Sequence, residues 1–193
     1  DAEVIVGFGD AAPEHFMLGD IVTLDGEPWD FCTRHILRQA LDRLHSLSGA
    51  RLFSAFEHEF QFKTGGNQPG EAYSHSGFSE RRMFGETLMA ALDQSGLTSD
   101  TFMKEYGAKQ YEVTINPAPD HRSADQAVIL RELTRSTARA LGEQATFTPI
   151  LFGVALAHVL HHPSSYARVV RVLGQPWLRC RLPIVAVALV SLE

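Results

Sequence analysis

Phe56-Glu-His-Glu-Phe-Gln-Phe62 alternates between two kinds of side chain. Read with the period of a β-strand, Phe56, His58, Phe60 and Phe62 share one face, and Glu57, Glu59 and Gln61 share the other. The aromatic face belongs against a core. The opposite face carries two carboxylates at i and i+2, roughly 6.5–7 Å apart along a strand. Mutual repulsion raises the pKa of such carboxylates unless a cation lies nearby. Taken alone, a Glu-x-Glu strand is more often a solvated outer face, and His58 reads as a core histidine rather than a ligand.

A second acidic segment lies about fifty residues on. Glu105-Tyr-Gly-Ala-Lys-Gln-Tyr-Glu112-Val-Thr-Ile-Asn116 reads as another alternating strand, closed by Pro117 and Pro119. Gln110, Glu112, Thr114 and Asn116 share a face, and Tyr111, Val113 and Ile115 take the opposite one. If this segment neighbours the first, Glu57, Glu59, Glu105 and Glu112 line one cavity, enough carboxylates for two divalent ions. Mg²⁺ takes oxygen ligands, typically one or two carboxylates plus water and phosphate oxygens. Lys63 and Lys104 are expected at the surface.

Helical periods lie between these strands. Leu37, Ala40, Leu41, Leu44 and Leu47 recur at three and four from Thr33 to Gly49, predicting an amphipathic helix. A second helix is expected over 79–95, ended by Gly96, after a loop of sixteen residues at 63–78. Ser123-Ala-Asp-Gln126 has capping-box spacing and opens a third helix running to Gly142. Asp20-Ile-Val-Thr-Leu before Asp25-Gly26 predicts a strand and tight turn, and Ala145-Thr-Phe-Thr-Pro149 a last short strand. The alternation of polar-faced strands with helices predicts an α+β fold. Its antiparallel sheet carries the carboxylates on one face and packs helices on the other.

Composition narrows the function classes. The 193 residues are 45% hydrophobic and 21% charged, with a net charge of −6 and a pI near 5.8, a globular balance that argues against nucleic-acid binding. The two cysteines, Cys32 and Cys180, suit a reducing compartment. No apolar run reaches the roughly 18 residues of a membrane span. Asp1-Ala-Glu lacks the positive start of a signal peptide, so a cytoplasmic protein with no membrane partner is expected. Charge breaks near residue 150: residues 150–193 hold four arginines and one glutamate, a net of +3, against −9 for the first 149.

The two acidic segments resemble those of the glutamine synthetase family. Asp25-Gly-Glu-Pro28, Asn116-Pro-Ala-Pro, Ser123-Ala-Asp-Gln, Leu130-Arg-Glu-Leu and Gly142-Glu-Gln-Ala-Thr-Phe-Thr-Pro149 follow in the family's order. The resemblance spans roughly 20–150. It implies that Glu57 belongs to the metal site neutralising the nucleotide phosphates. Glu59, Glu105 and Glu112 correspond to the ligands of the metal nearer the substrate amino acid. The implied activity is an ATP-dependent ligase, using Mg²⁺ or Mn²⁺. It joins the γ-carboxylate of glutamate to ammonia or an amine through an acyl phosphate, in subunits that assemble as homo-oligomeric rings with active sites between neighbours. The wording of the second segment is closer to the γ-glutamyl-amine and polyamine branch.

Departures from the family pattern begin after Pro149. In one alignment Gly153-Val…His158-Val stands for the glycine-rich loop and His158 for the metal histidine; in another the loop is deleted. No catalytic or nucleotide-binding residue is assigned. The implied organisation is a remnant of the N-terminal β-grasp region over 1–30, a partial catalytic domain over 31–150 and a divergent tail over 151–193. Two alternatives stand beside the ligase: a catalytically incompetent fragment retaining only the metal site, and a related carboxylate–amine ligase or guanidino-phosphotransferase fold.

Overall fold

The computed structural model describes residues 3–5, 7–65 and 72–147. Expectations for His158, for the strand's end at Pro149 and for the tail over 151–193 lie outside the described residues. The elements in chain order are β1 (Glu3–Ile5), β2 (Glu14–Phe16), α1 (Thr33–Ser48), β3 (Phe53–Ser54), β4 (His58–Phe62), α2 (His75–Glu80), α3 (Arg82–Gln94), β5 (Ser99–Lys104), β6 (Gln110–Ile115), β7 (Ala118–Pro119), α4 (Arg122–Ala140) and β8 (Ala145–Thr146).

Four strands form the main sheet, ordered β5-β6-β4-β8, with every neighbouring pair antiparallel. The apolar face of β4 and β6 presents Phe60, Phe62, Tyr111 and Val113 to α3 and α4, which contribute Phe84, Leu88 and Leu92 and then Ile129, Leu130 and Leu133 to one continuous core. Aromatic rings dominate it. Phe62 meets Phe84 edge-on at 4.8 Å between centroids, and Phe102 of β5 stacks on Tyr111 at 5.3 Å and 8°. The α+β class, the antiparallel sheet and the helices on its aromatic side all match expectation. Two β-ribbons, β1-β2 and β3-β7, flank this unit. Among the described residues, no helix is long and apolar enough to cross a membrane.

Five local expectations need correction. The second acidic segment is not one strand: β5 ends at Lys104, residues 105–109 turn, and β6 begins at Gln110. β5 escapes a hydropathy reading because Ser99-Asp-Thr-Phe-Met-Lys puts only Phe102 and Lys104 inward. Lys104 is accordingly buried, its ammonium 4.8 Å from the centre of the Tyr111 ring, and not at the surface. The helix expected over 79–95 is two helices, broken where Arg81 leaves helical geometry at φ −123° and ψ 23°. Ser74 starts the first by accepting the Gly77 N–H at 3.0 Å.

Ser123 does not cap α4. It lies inside the helix, where its hydroxyl donates to the Asp120 carbonyl and shares a 2.7 Å hydrogen bond with Ser54, tying the helix start to β3. The apolar stripe of α1 is only half-buried; no residue of that helix is fully covered and Leu47 is 76% exposed. Ion pairs hold α1 instead. Arg34 donates from Nε and Nη2 to both oxygens of Asp125 on α4, each at 3.0 Å, and from Nη1 to Asp20 at 2.9 Å; Arg38 also pairs with Asp20. The turn at Asp25-Gly26 forms, with Gly26 at φ +85° and a single bridge between Val22 and Pro28.

Candidate metal centre

β4 and β6 run side by side with Glu59 directly opposite Glu112, Phe60 opposite Tyr111 and Gln61 opposite Gln110. Since Phe60 and Tyr111 enter the core, the pleat turns Glu59 and Glu112 to the other face of the sheet. Glu57 lies two residues before Glu59, just ahead of β4, and its charge reaches Glu112. Glu105 follows β5, at the start of the turn leading into β6, where its N–H donates to the Gln110 carbonyl at 2.9 Å.

Burial and mutual charge set the electrostatics. Glu112 is 6% exposed, and its carboxyl is pushed up to about 8, first by burial and then by the negative charges of Glu57, Glu105 and Glu59. The other three candidate carboxylates therefore all lie close enough to act on Glu112. Glu105 is 1% exposed; its Oε2 lies 3.3 Å from the Tyr106 N–H, while its Oε1 is buried without a hydrogen-bond partner. Tyr73 lies near Glu105, and desolvation followed by its interaction with Glu105 pushes the phenol above its usual range. Tyr73 holds a left-handed backbone, φ +56°, with its N–H on the Lys104 carbonyl at 3.0 Å. It also lines a cavity of about 430 Å³ with Ser74, His75, Phe78, Phe102 and Met103.

The donor chemistry fits a hard divalent cation. All four groups are carboxylates, one oxygen is buried and unpartnered, and burial with neighbouring negative charge pushes one carboxyl up to about 8. Among the described residues, however, no group of three acidic, histidine or cysteine side chains is arranged to hold a metal ion. The structure thus puts Glu59 and Glu112 on one face, with Glu57 and Glu105 near enough to act on Glu112, without closing a coordination sphere around a single point. His58 turns away from them, its ring 5.7 Å from Phe147 and 6.5 Å from Phe56. Burial, and then the charge of Arg131, lower its pKa to about 4.

Two participants lay beyond the sequence reading. Tyr73 falls within what reads as a featureless loop. Gln110 was visible as a residue on the Glu112 face and as part of the acidic segment that resembles the family's, with no contact attached to it, yet its amide Nε2 donates to Glu59 Oε2 at 2.6 Å.

The family model for the glutamine synthetase catalytic domain matches residues 30–168. Among curated relatives, a type-1 glutamine synthetase of Dictyostelium discoideum is 30% identical over 159 residues, covering 71% of this chain and 32% of that protein. A gamma-glutamylpolyamine synthetase of Streptomyces coelicolor is 27% identical over 156 residues, covering 76% and 34%. A crystal structure described as a novel glutamine synthase homolog superposes with a TM-score of 0.68 at 36% identity, over 77% of this chain and 35% of that one. The chain spans about a third of the length of these relatives.

Proposed function

The chain belongs to the glutamine synthetase family, and from that premise we propose that its carboxylate face is the divalent-metal part of an ATP-dependent ligase site. The reaction joins the γ-carboxylate of glutamate to ammonia or an amine, with ATP as phosphoryl donor and an acyl phosphate as intermediate. The observation that carries this reading is the meeting of Glu59 with Glu112 across the β4–β6 ladder, where burial, and then the charges of Glu57, Glu105 and Glu59, push Glu112 to about 8.

Glu57, Glu59, Glu105 and Glu112 would hold Mg²⁺ or Mn²⁺, which when bound supplies neutralisation of charge on the transferring phosphoryl group. The protein's own part is to hold Glu59 and Glu112 on paired strands, with Glu57 just before β4 and Glu105 in the turn after β5, on a sheet whose opposite side is packed by Phe60 and Tyr111. His158 is proposed as a further ligand, residues 31–150 as a partial catalytic domain, and a homo-oligomer as the working assembly. The fragment reading gains no observation of its own.

Calorimetric titration of the chain with Mn²⁺, beside a Glu57→Gln/Glu59→Gln double variant, tests the site. Saturable binding lost in the variant supports it, and ADP release with glutamate and amines then tests the ligase reaction. A folded chain that binds no Mn²⁺ overturns the reading.

A further inference from the structure

Gln110 is 1% exposed, and every polar group it owns is engaged. Its backbone N–H donates to the Gly107 carbonyl at 3.1 Å, and its carbonyl accepts the Glu105 N–H at 2.9 Å. In the side chain, Oε1 accepts the Gly107 N–H at 2.8 Å and Nε2 donates to Glu59 Oε2 at 2.6 Å. The amide orientation follows from chemistry. The Gly107 N–H can only donate, so the oxygen must face it, and the NH₂ group must then face the carboxylate. The approach is close enough to demand glycine: a Cβ at Gly107 would lie 2.3 Å from Gln110 Oε1.

We propose that Gln110 is a positioning residue: it fixes the Glu59 carboxylate on β4 and, through the same amide, the 105–109 turn that carries Glu105, so that ligands from two separate segments meet a cation in register. The inference rests on the metal reading above. A neutral amide suits this task better than an arginine or lysine. It orients the carboxylate by a charge-assisted hydrogen bond and leaves the negative charge available to a cation, whereas a cationic side chain would neutralise it. The two ends of the device are far apart in sequence, at 59 and 105–110, and Gln110 is the point where they are fastened to each other.

The test is a double-mutant cycle on Mn²⁺ affinity, read by calorimetry and by the Mn²⁺ paramagnetic resonance line shape. The chains compared are the wild type, Gln110→Met, Glu59→Gln and the double variant. Gln110→Met keeps the volume and removes both the donor to Glu59 and the acceptor of the Gly107 N–H; it is expected to weaken Mn²⁺ binding by about 10–100-fold and to change the line shape. Because one of its two arms ends on Glu59, the same substitution in the Glu59→Gln background is expected to cost clearly less than in the wild type. Should Gln110→Met fail to fold, Gln110→Glu retains an acceptor for the Gly107 N–H, loses the donor to Glu59, and is expected to lose affinity likewise. Wild-type Mn²⁺ binding that survives either substitution overturns the proposal and leaves the metal site standing. Equal losses with and without Glu59 also overturn it, since they mark a purely structural role. A wild type that binds no Mn²⁺ overturns the metal reading and this one with it.

Discussion

Glu59 and Glu112 are direct Cα partners in the antiparallel β4–β6 ladder, two like charges placed opposite each other on one sheet face. Such a pair destabilises a sheet by several tenths of a kcal/mol or more. Here burial and two further carboxylates, Glu57 and Glu105, aggravate it. A fold that concentrates negative charge in this way either carries a proton there or meets a cation.

The proton makes a prediction for the metal-free chain. Glu112 has a folded pKa of about 8 against 4.5 ordinarily, so the folded state holds a proton that the unfolded chain releases. Its contribution to stability is fully present below about 4.5 and is lost as pH rises through 8. In EDTA the melting temperature is therefore expected to fall between pH 7 and 8.5, and less steeply in Glu57→Gln. Added Mn²⁺ should raise it most at pH 8.5, where the carboxylates are free of protons. Thermal melts across that range check both effects.

His58 acts with the opposite sign in a lower window. Its folded pKa of about 4 lies below the ordinary 6.5, so the unfolded chain takes up a proton that the folded chain refuses. Stability from this residue is gained as pH rises from about 4 to 6.5 and is constant above. His58→Phe is expected to raise the melting temperature relative to wild type at pH 5 and to change that difference little between pH 7 and 8. Equal differences at pH 5 and 7 would place the imidazole in water.

How much of this was legible in sequence depends on how local each cause is. The pleat is local, so period two separated Phe60 and Phe62 from Glu59, and Tyr111 and Val113 from Glu112, as the β4–β6 register has them. The pairing of strands some fifty residues apart is not local; only the family resemblance brought them together. β5 was invisible because a buried lysine replaces an apolar residue, and its charge is masked by the Tyr111 ring. Ser123 matched a capping pattern, but Ser54, from β3, captured its hydroxyl. The Gln110 amide reaches sideways to Glu59, and no spacing rule along one strand anticipates that contact.

Packing of α3 on the sheet gives a third prediction. A Cβ on Gly85 would lie 2.4 Å from Phe102 Cδ1, and Phe102 is itself stacked on Tyr111 and in contact with Phe84. The ring has no room to retreat. Gly85→Ala is expected to destabilise the chain by about 1–3 kcal/mol through overpacking, despite the better helix propensity of alanine. Urea denaturation measures it. A stabilised variant would mean that α3 stands further from β5 than the structure places it.

The attachment of α1 gives a fourth. With no fully buried residue, this helix depends on the fork of Arg34 against Asp125, which sits in the first turn of α4 and is 7% exposed, with Asp20 completing the cluster. Arg34→Lys keeps the charge but cannot donate two parallel hydrogen bonds to one carboxylate. It is expected to cost about 1.5–3 kcal/mol, the range for hydrogen bonds to charged groups. Leucines on the half-buried stripe are expected to contribute less than core leucines, since they leave little cavity when truncated. Leu44→Ala should therefore cost less than Leu130→Ala, whose side chain is fully enclosed. Hydrogen exchange separates the two mechanisms. Loss of the fork should release the amides of α1 while those of α3 and α4 stay protected, because the helix is fastened at its first turn and not along its length.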